Sequence, residues 1–524
     1  MADPVLAALE TTFTAENWSG PLRVRATLDG RVTNNGVARY RDLRGDHLTD
    51  HATGVQDELT WLTATTRSSR VTVALAARID TPVPIPVPVP GSVESDRIAT
   101  EHVLDAVEGT PVTLTKVVAL LTSRDPAVHD PLSAALRRAG SAASFAELLD
   151  AHESAWQRLW DRAGLDVDGP ELSQIVHLHV FHLLQTLSPH TADLDAGVPA
   201  RGLHGEAYRG HVFWDELFVL PWLNLRFPEI SLGLLRYRWR RLPEARAAAR
   251  RAGFDGAMFP WQSGSDGREE TQTYHLNPDS GRWLPDVSHL QRHVGLAIAY
   301  NVWQYHLATG SMPPWCTELL LDIARFFASL AVLDPASGRY EIHGVMGPDE
   351  YHTAYPGATS PGLANNAYTN VMTVWLLSRA LELGEAGPEE AARWDDITQR
   401  MRVDFHDDVI SQFTGYVDLA ELDWARYKGV RRLDRALEAG GDDVNRYKAS
   451  KQADTLMLFY LLTADELLTI LHRLGYPAEP GLIPERSPTT WTAPATAPPS
   501  APSSTPGSWP APTGLAPGSS SPKH

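Results

Sequence analysis

Apolar and polar positions alternate along the first quarter of the chain and switch to a helical period near residue 140. In Pro21-Leu-Arg-Val-Arg-Ala-Thr-Leu28 the apolar residues Leu22, Val24, Ala26 and Leu28 share one face, which predicts a strand, and Asp29-Gly30 predicts a hairpin turn before Val32. Residues 70–79 and 112–121 are rich in β-branched side chains and predict two more strands. Between them, residues 82–90 alternate proline with Val or Ile. Proline cannot donate to a sheet ladder, so this run predicts an extended edge or connector. Residues 1–127 therefore read as an antiparallel β domain.

Ser144-Phe-Ala-Glu147 is a capping box, followed at helical spacing by Phe145, Leu148, Leu149, Trp156, Leu159 and Trp160. Residues 128–168 read as a helical linker. Residues 169–484 read as an all-α domain, with helices expected over 172–187 (stopped by Pro189), from Glu216, near His289, and over 316–333, 367–383, 388–405 and 454–474. Residues 485–524 form a tail whose Pro, Ala, Ser and Thr content, without an apolar period, predicts disorder. A length of 524 residues suits two domains and a tail. The 46 Lys and Arg against 64 Asp and Glu give a net charge of -18, which argues against nucleic acid or an anionic membrane as partner. The single cysteine, Cys316, excludes a disulfide framework. Neither a basic-then-apolar leader nor an uninterrupted run of about 18 apolar residues is present, so a cytoplasmic protein is expected.

The chemistry concentrates in His343-Gly-Val-Met-Gly-Pro-Asp-Glu-Tyr-His352. Two glycines and a proline predict a loop, and the setting marks Glu350 as a catalytic acid. Asn365-Asn-Ala-Tyr-Thr-Asn370 follows, leading into an apolar helix. Three more loops, over 201–215, 259–270 and 283–286, are dense in aromatic and polar residues. Sugars present hydroxyl edges and apolar ring faces, needs that Trp214 beside Asp215 and Trp261 beside Gln262 can meet. Lys451-Gln452 opens the last helix, where polar or anionic ligand groups are favoured. His177, His179 and His182 share one helix without the i, i+4 spacing of a zinc pair or a carboxylate to complete it, so no metal is expected.

Together the runs 201–215, 259–270, 344–352, 365–370 and 451–454 resemble glycoside hydrolase family 65, the phosphorylases of trehalose, maltose, kojibiose and nigerose. The resemblance implies a multidomain fold: an N-terminal β-sandwich, linker helices, an (α/α)6 barrel with the active site, and a small C-terminal β domain. It implies that Glu350 is the general acid and that Trp214, Asp215, Lys451 and Gln452 hold the glucosyl unit. Inorganic phosphate is then the co-substrate, with no other cofactor. Phosphorolysis of a disaccharide of trehalose or kojibiose type proceeds with inversion to β-glucose 1-phosphate, and a homodimer is expected. Phosphate arrives already ionised, so one carboxylate suffices where an inverting hydrolase needs two. Asp349 is expected to keep Glu350 protonated by like-charge repulsion if the two side chains face each other. The rivals are an α-glucosidase in which Asp215 or Glu270 activates water, and a carbohydrate-binding protein without catalysis.

Two features depart from the family pattern. The chain begins partway into the expected sandwich, and the family's phosphate loop, His-Gly-Ser-Ser or His-Gly-Ser-Thr, does not follow Ile483-Pro484. Reading the codons of residues 489–498 one base earlier permits Asp-Tyr-Leu-Asp-Arg-Thr-Arg-His-Gly-Ser, its second Asp forced by the single codon of Trp491. Continuing through residue 513 permits Thr-Leu-Ser-Ala-Val-Val-His-Ala-Trp-Val-Leu-Ala-Arg-Thr-Asp. A frameshift near residues 484–488 is therefore expected, and with it loss of the phosphate site and of activity in this translated chain.

Overall fold

A computed structural model describes residues 2–81, 89–165, 167–202 and 205–477. The proline run up to residue 88 and the tail from residue 478 fall outside the described residues.

The N-terminal domain is two antiparallel sheets laid face to face. Strands β1 (Leu6–Thr14), β2 (Gly20–Asp29), β3 (Leu48–Gln56), β4 (Leu59–Thr66), β5 (Thr72–Asp80), β6 (Val89–Val93), β7 (Arg97–Ala106) and β8 (Pro111–Thr122) form a five-stranded sheet, ordered β1-β8-β5-β4-β3, and a three-stranded sheet, ordered β2-β7-β6. The period of two explains how β5 serves two cores at once. Leu75 and Ala77 face Leu28, Leu62, Ala64 and Ile98 between the sheets, whereas Ala74 and Ala76, with Ala119 and Leu121, face outward under helix α1 (Pro131–Gly140).

The hairpin expected at Asp29-Gly30 does not form. Strand β2 pairs instead with β7, from Gly20 opposite Ala106 to Asp29 opposite Arg97. This register sets Leu28 opposite Ile98, and both are buried between the sheets, a gain that the polar residues after Val32 could not provide. The Asp29 carboxylate accepts from the Arg31 N–H (3.0 Å), and the Gly30 N–H donates to the Asp96 carbonyl (2.9 Å), so the chain leaves the sheet here. It runs into a long loop that carries a short 3-10 turn, Ala38–Tyr40.

The helices that follow are α2 (Phe145–Ala163), α3 (Pro170–Thr186), α4 (Glu216–Arg226), α5 (Pro228–Arg240), α6 (Leu242–Arg251), α7 (Val294–Thr309), α8 (Pro314–Leu330), α9 (Ala367–Leu383), α10 (Pro388–Arg400), α11 (Leu433–Ala439), α12 (Asp454–Leu461) and α13 (Ala464–Arg473). The capping box holds: the Ser144 hydroxyl accepts from the Glu147 N–H while the Glu147 carboxylate accepts from the Ser144 N–H. Helices α7 and α9 are apolar almost all round and lie inside the domain, buried from Val294 to Trp303 and from Ala367 to Leu377. Helices α8 and α10 pack outside α9, each burying one face, and one core runs from Leu159 to Leu474.

Three helix boundaries differ from the sequence reading. The helix expected over 454–474 breaks into α12 and α13, bent by 115°, because the Thr463 hydroxyl accepts from the Glu466 N–H and starts a new helix. The helix expected over 388–405 ends at Arg400, and the helix expected near His289 is only the 3-10 turn Ser288–Leu290, ahead of α7. Among the described residues no single helix is long and apolar enough to cross a membrane. The α12–α13 pair has the composition but buries Leu458, Leu467 and Leu471 in the core.

Helix α1 reaches its sheet through small side chains: Ala76, Ala119, Ala135 and Ala139 are all fully buried. Ala135→Leu should therefore overpack this interface and destabilise the domain by about 1–3 kcal/mol. Thermal unfolding followed by circular dichroism checks it. An unchanged melting temperature would mean that α1 does not close this face.

Candidate active site

The segment around Glu350 begins in a two-strand ladder, His343–Val345 against Leu363–Ala364, and then turns. A Cβ on Gly347 would lie 2.2 Å from Asp454 Oδ2 and 2.3 Å from Asn366 Nδ2, so only glycine fits the approach. Asp349 follows, buried and saturated: it accepts from the Lys451 N–H (3.0 Å), the His352 N–H (3.1 Å) and His352 Nδ1 (2.5 Å). Its side chain is thus turned to His352 rather than Glu350, and the expected repulsion within the Asp349–Glu350 pair is replaced by a carboxylate–imidazole pair. His352 Nε2 donates to the Tyr447 carbonyl (2.9 Å). Burial opposes charge on this imidazole, but Asp349's charge and hydrogen bond outweigh it and hold its pKa above the usual value.

Glu350 itself sits at φ 62°, in the left-handed region. For a residue with a Cβ this conformation costs on the order of 1–3 kcal/mol, and it persists only where the surroundings enforce it. One Glu350 carboxylate oxygen accepts from Lys451 Nζ at 2.6 Å. Both residues line a cavity of about 340 Å³, together with Phe213, Trp261, Gln262 and Met346.

The other expected contacts stand just behind this lining. Trp214 is buried, its ring edge-on to His293 (4.7 Å between centroids) and tilted against Trp261 (6.4 Å). Gln452 Nε2 donates to the Pro348 carbonyl (2.8 Å), fixing the turn that presents Glu350. Glu270 is not on the lining. Its neighbour Glu269 shapes the 259–270 loop by accepting from the N–H groups of Trp261 (2.9 Å) and Gln262 (3.1 Å). His177 Nε2 reaches the Leu165 carbonyl (3.3 Å), and among the described residues no three His, Cys, Asp or Glu side chains converge as metal ligands would.

Comparison with known proteins adds the decisive observation. Residues 177–473 match the glycosyl hydrolase family 65 central catalytic domain, and residues 1–159 match the family's N-terminal domain. The chain belongs to glycosyl hydrolase family 65. An uncharacterized glycosyl hydrolase of Mycobacterium tuberculosis is 49% identical over 516 residues, 92% of this chain and 38% of that protein. The trehalose 6-phosphate phosphorylase of Lactococcus lactis is 36% identical over 479 residues, 88% of this chain and 60% of that one. The kojibiose phosphorylase of Halothermothrix orenii is 30% identical over 510 residues, 89% of this chain and 62% of that one. The chain thus spans less than two thirds of the length of these relatives. A solved structure from the human microbiome, provisionally assigned as a kojibiose phosphorylase, shares the fold with a TM-score of 0.68 at 19% identity, covering 88% of this chain and 61% of its own.

Several features of the site escaped the sequence reading. Asp454, fully buried, accepts from the Asp349 N–H (2.6 Å) and from Asn366 Nδ2, and burial followed by Asp349's charge pushes its pKa well up. The sheet domain also contributes: Arg39 and Tyr40, on the 3-10 turn, line the cavity, and the Tyr208 N–H donates to the Tyr40 hydroxyl (3.2 Å). On α4, the buried Glu216 carboxylate accepts from Arg238 Nε (2.8 Å), and Arg238 Nη2 donates to the Phe213 carbonyl (2.6 Å), which pins Phe213, Trp214 and Asp215 to α5. The one sequence signal for Glu216 and Arg238 was charge inside an apolar helical pattern.

Asp215 is pushed up to about 6, first by burial and then by the charges of Glu350 and Glu216. The folded protein therefore holds a proton on Asp215 up to a higher pH than the unfolded chain does. No penalty exists below the unfolded value of 3.8; it grows as the pH rises toward about 6 and is complete above that. Asp215→Asn should accordingly stabilise the protein by about 3 kcal/mol at pH 8 and not at pH 4. Melting temperatures across pH check this, and an equal gain at both pH values would assign the effect to packing instead.

Proposed function

We propose that this chain carries the catalytic apparatus of an inverting α-glucosyl disaccharide phosphorylase built on an (α/α)6 barrel. Glu350 protonates the glycosidic oxygen as the bond from it to the anomeric carbon breaks. An oxygen of inorganic phosphate bonds to that carbon from the opposite face, giving β-glucose 1-phosphate and the released sugar. Trp214, Asp215, Lys451 and Gln452 hold the glucosyl unit. The observation that carries this reading is Glu350 itself, a carboxylate strained into the left-handed region on a cavity wall, with a lysine as its partner.

A hydrolase would need a second carboxylate to activate water. Glu270 is absent from the lining, Asp215 is kept for the glucosyl unit, and the other lining acids already accept hydrogen bonds, Asp286 from the Ser288 N–H (3.0 Å) and Asp443 from the Asn445 N–H (2.9 Å). Asp434 is held by Arg432 (2.6 Å), Glu438 by Asn277, Ser280 and Arg282, and Asp442 by Arg446 and Tyr447. The phosphorylase relatives support a disaccharide of trehalose or kojibiose type as substrate. We infer that the phosphate cradle is encoded by residues 489–498 read one base earlier.

Sequencing the coding DNA across residues 482–524 tests the frame. With the frame restored, the protein should release glucose 1-phosphate only when phosphate is present, and Glu350→Gln should lower that rate about 10²- to 10⁴-fold. The chain as translated should release none. Sugar release independent of phosphate would favour the hydrolase, whereas sugar binding without turnover in the frame-restored protein would favour a non-catalytic carbohydrate-binding protein.

A further inference from the structure

Behind the cavity wall lies a histidine that the proposed chemistry does not use. His293, just before α7, is fully buried. Aromatic rings enclose it, with centroids at 4.7 Å for Trp214, 5.3 Å for Trp261 and 5.7 Å for Tyr368. Among the described residues its Nδ1 has no hydrogen-bond partner, while its Nε2 lies 3.2 Å from Gln291 Oε1. A neutral imidazole carries one N–H and one lone pair. Gln291 Oε1 is the acceptor on offer, so the proton belongs on Nε2, which donates to it. A charged ring would add an unpartnered N–H among indoles, and burial pushes the His293 pKa down to about 3. The ring therefore stays neutral, with its single donor aimed at Gln291.

Gln291 carries the effect to the cavity, which it lines while only 2% exposed. Its Oε1 is taken by His293, and flipping the amide would set its own N–H groups against the imidazole N–H. Its Nε2 has no acceptor among the described residues and is not sealed from the cavity, so its N–H donors are left for a ligand. The place is the glucosyl side. The Met346 N–H donates to the Leu290 carbonyl (3.0 Å), which holds the Gln291 segment against the Glu350 loop, and His293 sits against the Trp214 ring. A few polar groups fixed in orientation are what give a sugar-sized cavity its selectivity. We propose that Gln291 donates a hydrogen bond to one hydroxyl of the glucosyl unit, and that His293 is the positioning residue that fixes which end of the Gln291 amide faces the sugar. This deepens the phosphorylase reading and rests on it for the identity of the ligand.

The test is calorimetric titration of the full chain, and of the frame-restored protein, with glucose and with deoxyglucoses that each lack one hydroxyl. One of these should bind about tenfold more weakly than glucose, because it leaves the Gln291 amide unpaired. In Gln291→Met that analogue and glucose should bind alike, while the penalties for the other missing hydroxyls persist. His293→Phe keeps the aromatic box but frees the amide, and should erase most of the same penalty. His293→Gln, whose side-chain N–H can stand in for the ring Nε2–H, should restore it. A role in packing alone predicts the reverse order, with Phe tolerated and Gln not. Gln291→Met lies on the cavity wall and decides the contact even where a His293 variant fails to fold. Survival of every penalty in Gln291→Met, or of the Gln291 penalty in folded His293→Phe, would overturn the proposal while glucose binding leaves the sugar site standing. No glucose binding by either protein sinks the sugar site and this contact with it. The Gln291 penalty without phosphate-dependent turnover in the frame-restored protein supports the contact and sinks the phosphorylase.

Discussion

The architecture of the site depends on one buried cluster, in which Asp454 and Asp349 meet through a single N–H, the amide of Asp349 donating to Asp454 at 2.6 Å. Two carboxylates placed together out of water would repel and lose hydration, a cost of several kcal/mol for each unpaired ion. The cluster resolves this by dividing the roles. Asp349 pairs with His352 and takes the Lys451 N–H, while Asp454, held by Asn366 and the Asp349 amide, is driven toward its protonated form. Segments about a hundred residues apart in the chain are thereby fixed in register. Glu350 is the beneficiary: bracketed by Asp349 and Gly347 on one side and His352 on the other, it is kept in a backbone conformation that an isolated turn would relax.

Around this cluster the two domains divide the labour. The inner helices α7 and α9 are apolar on nearly every side and provide a rigid floor, and α9 starts at Asn366, whose amide also holds Asp454. Loops standing on those helices supply the chemistry, as expected where recognition needs varied side chains on a fixed scaffold. The sheet domain closes one wall. The Gly36 N–H donates to the Glu206 carboxylate (2.7 Å) and Tyr40 accepts from Tyr208, so the loop after β2 is stitched to the helical domain beside the cavity. That loop exists because β2 pairs with β7 rather than turning back on itself.

This explains what the sequence made legible. Periodicity located β2, β5, β8, α2, α3 and α9 because each has a repeating apolar face, and the polar loops between apolar helices pointed to Glu350 and Lys451. The failures share a cause. Asp29-Gly30 has the local chemistry of a hairpin, but burial of Leu28 against Ile98, a contact seventy residues away in sequence, decides the partner. Asp349 beside Glu350 suggests repulsion, but neighbours in sequence point apart when one takes a left-handed φ. Arg39 carries no signal of its own, since it is an ordinary surface-type residue until the fold sets it on the cavity wall.

That placement also settles an apparent conflict between composition and chemistry. A net charge of -18 repels phosphate at a distance, and composition argues against nucleic acid or an anionic membrane as partner. At physiological ionic strength, however, that repulsion is screened beyond about 8 Å, and what a ligand meets inside a cavity is the local balance. There the acids are already committed to donors: Asp434 to Arg432, Glu438 to Asn277 and Ser280, Asp442 to Tyr447.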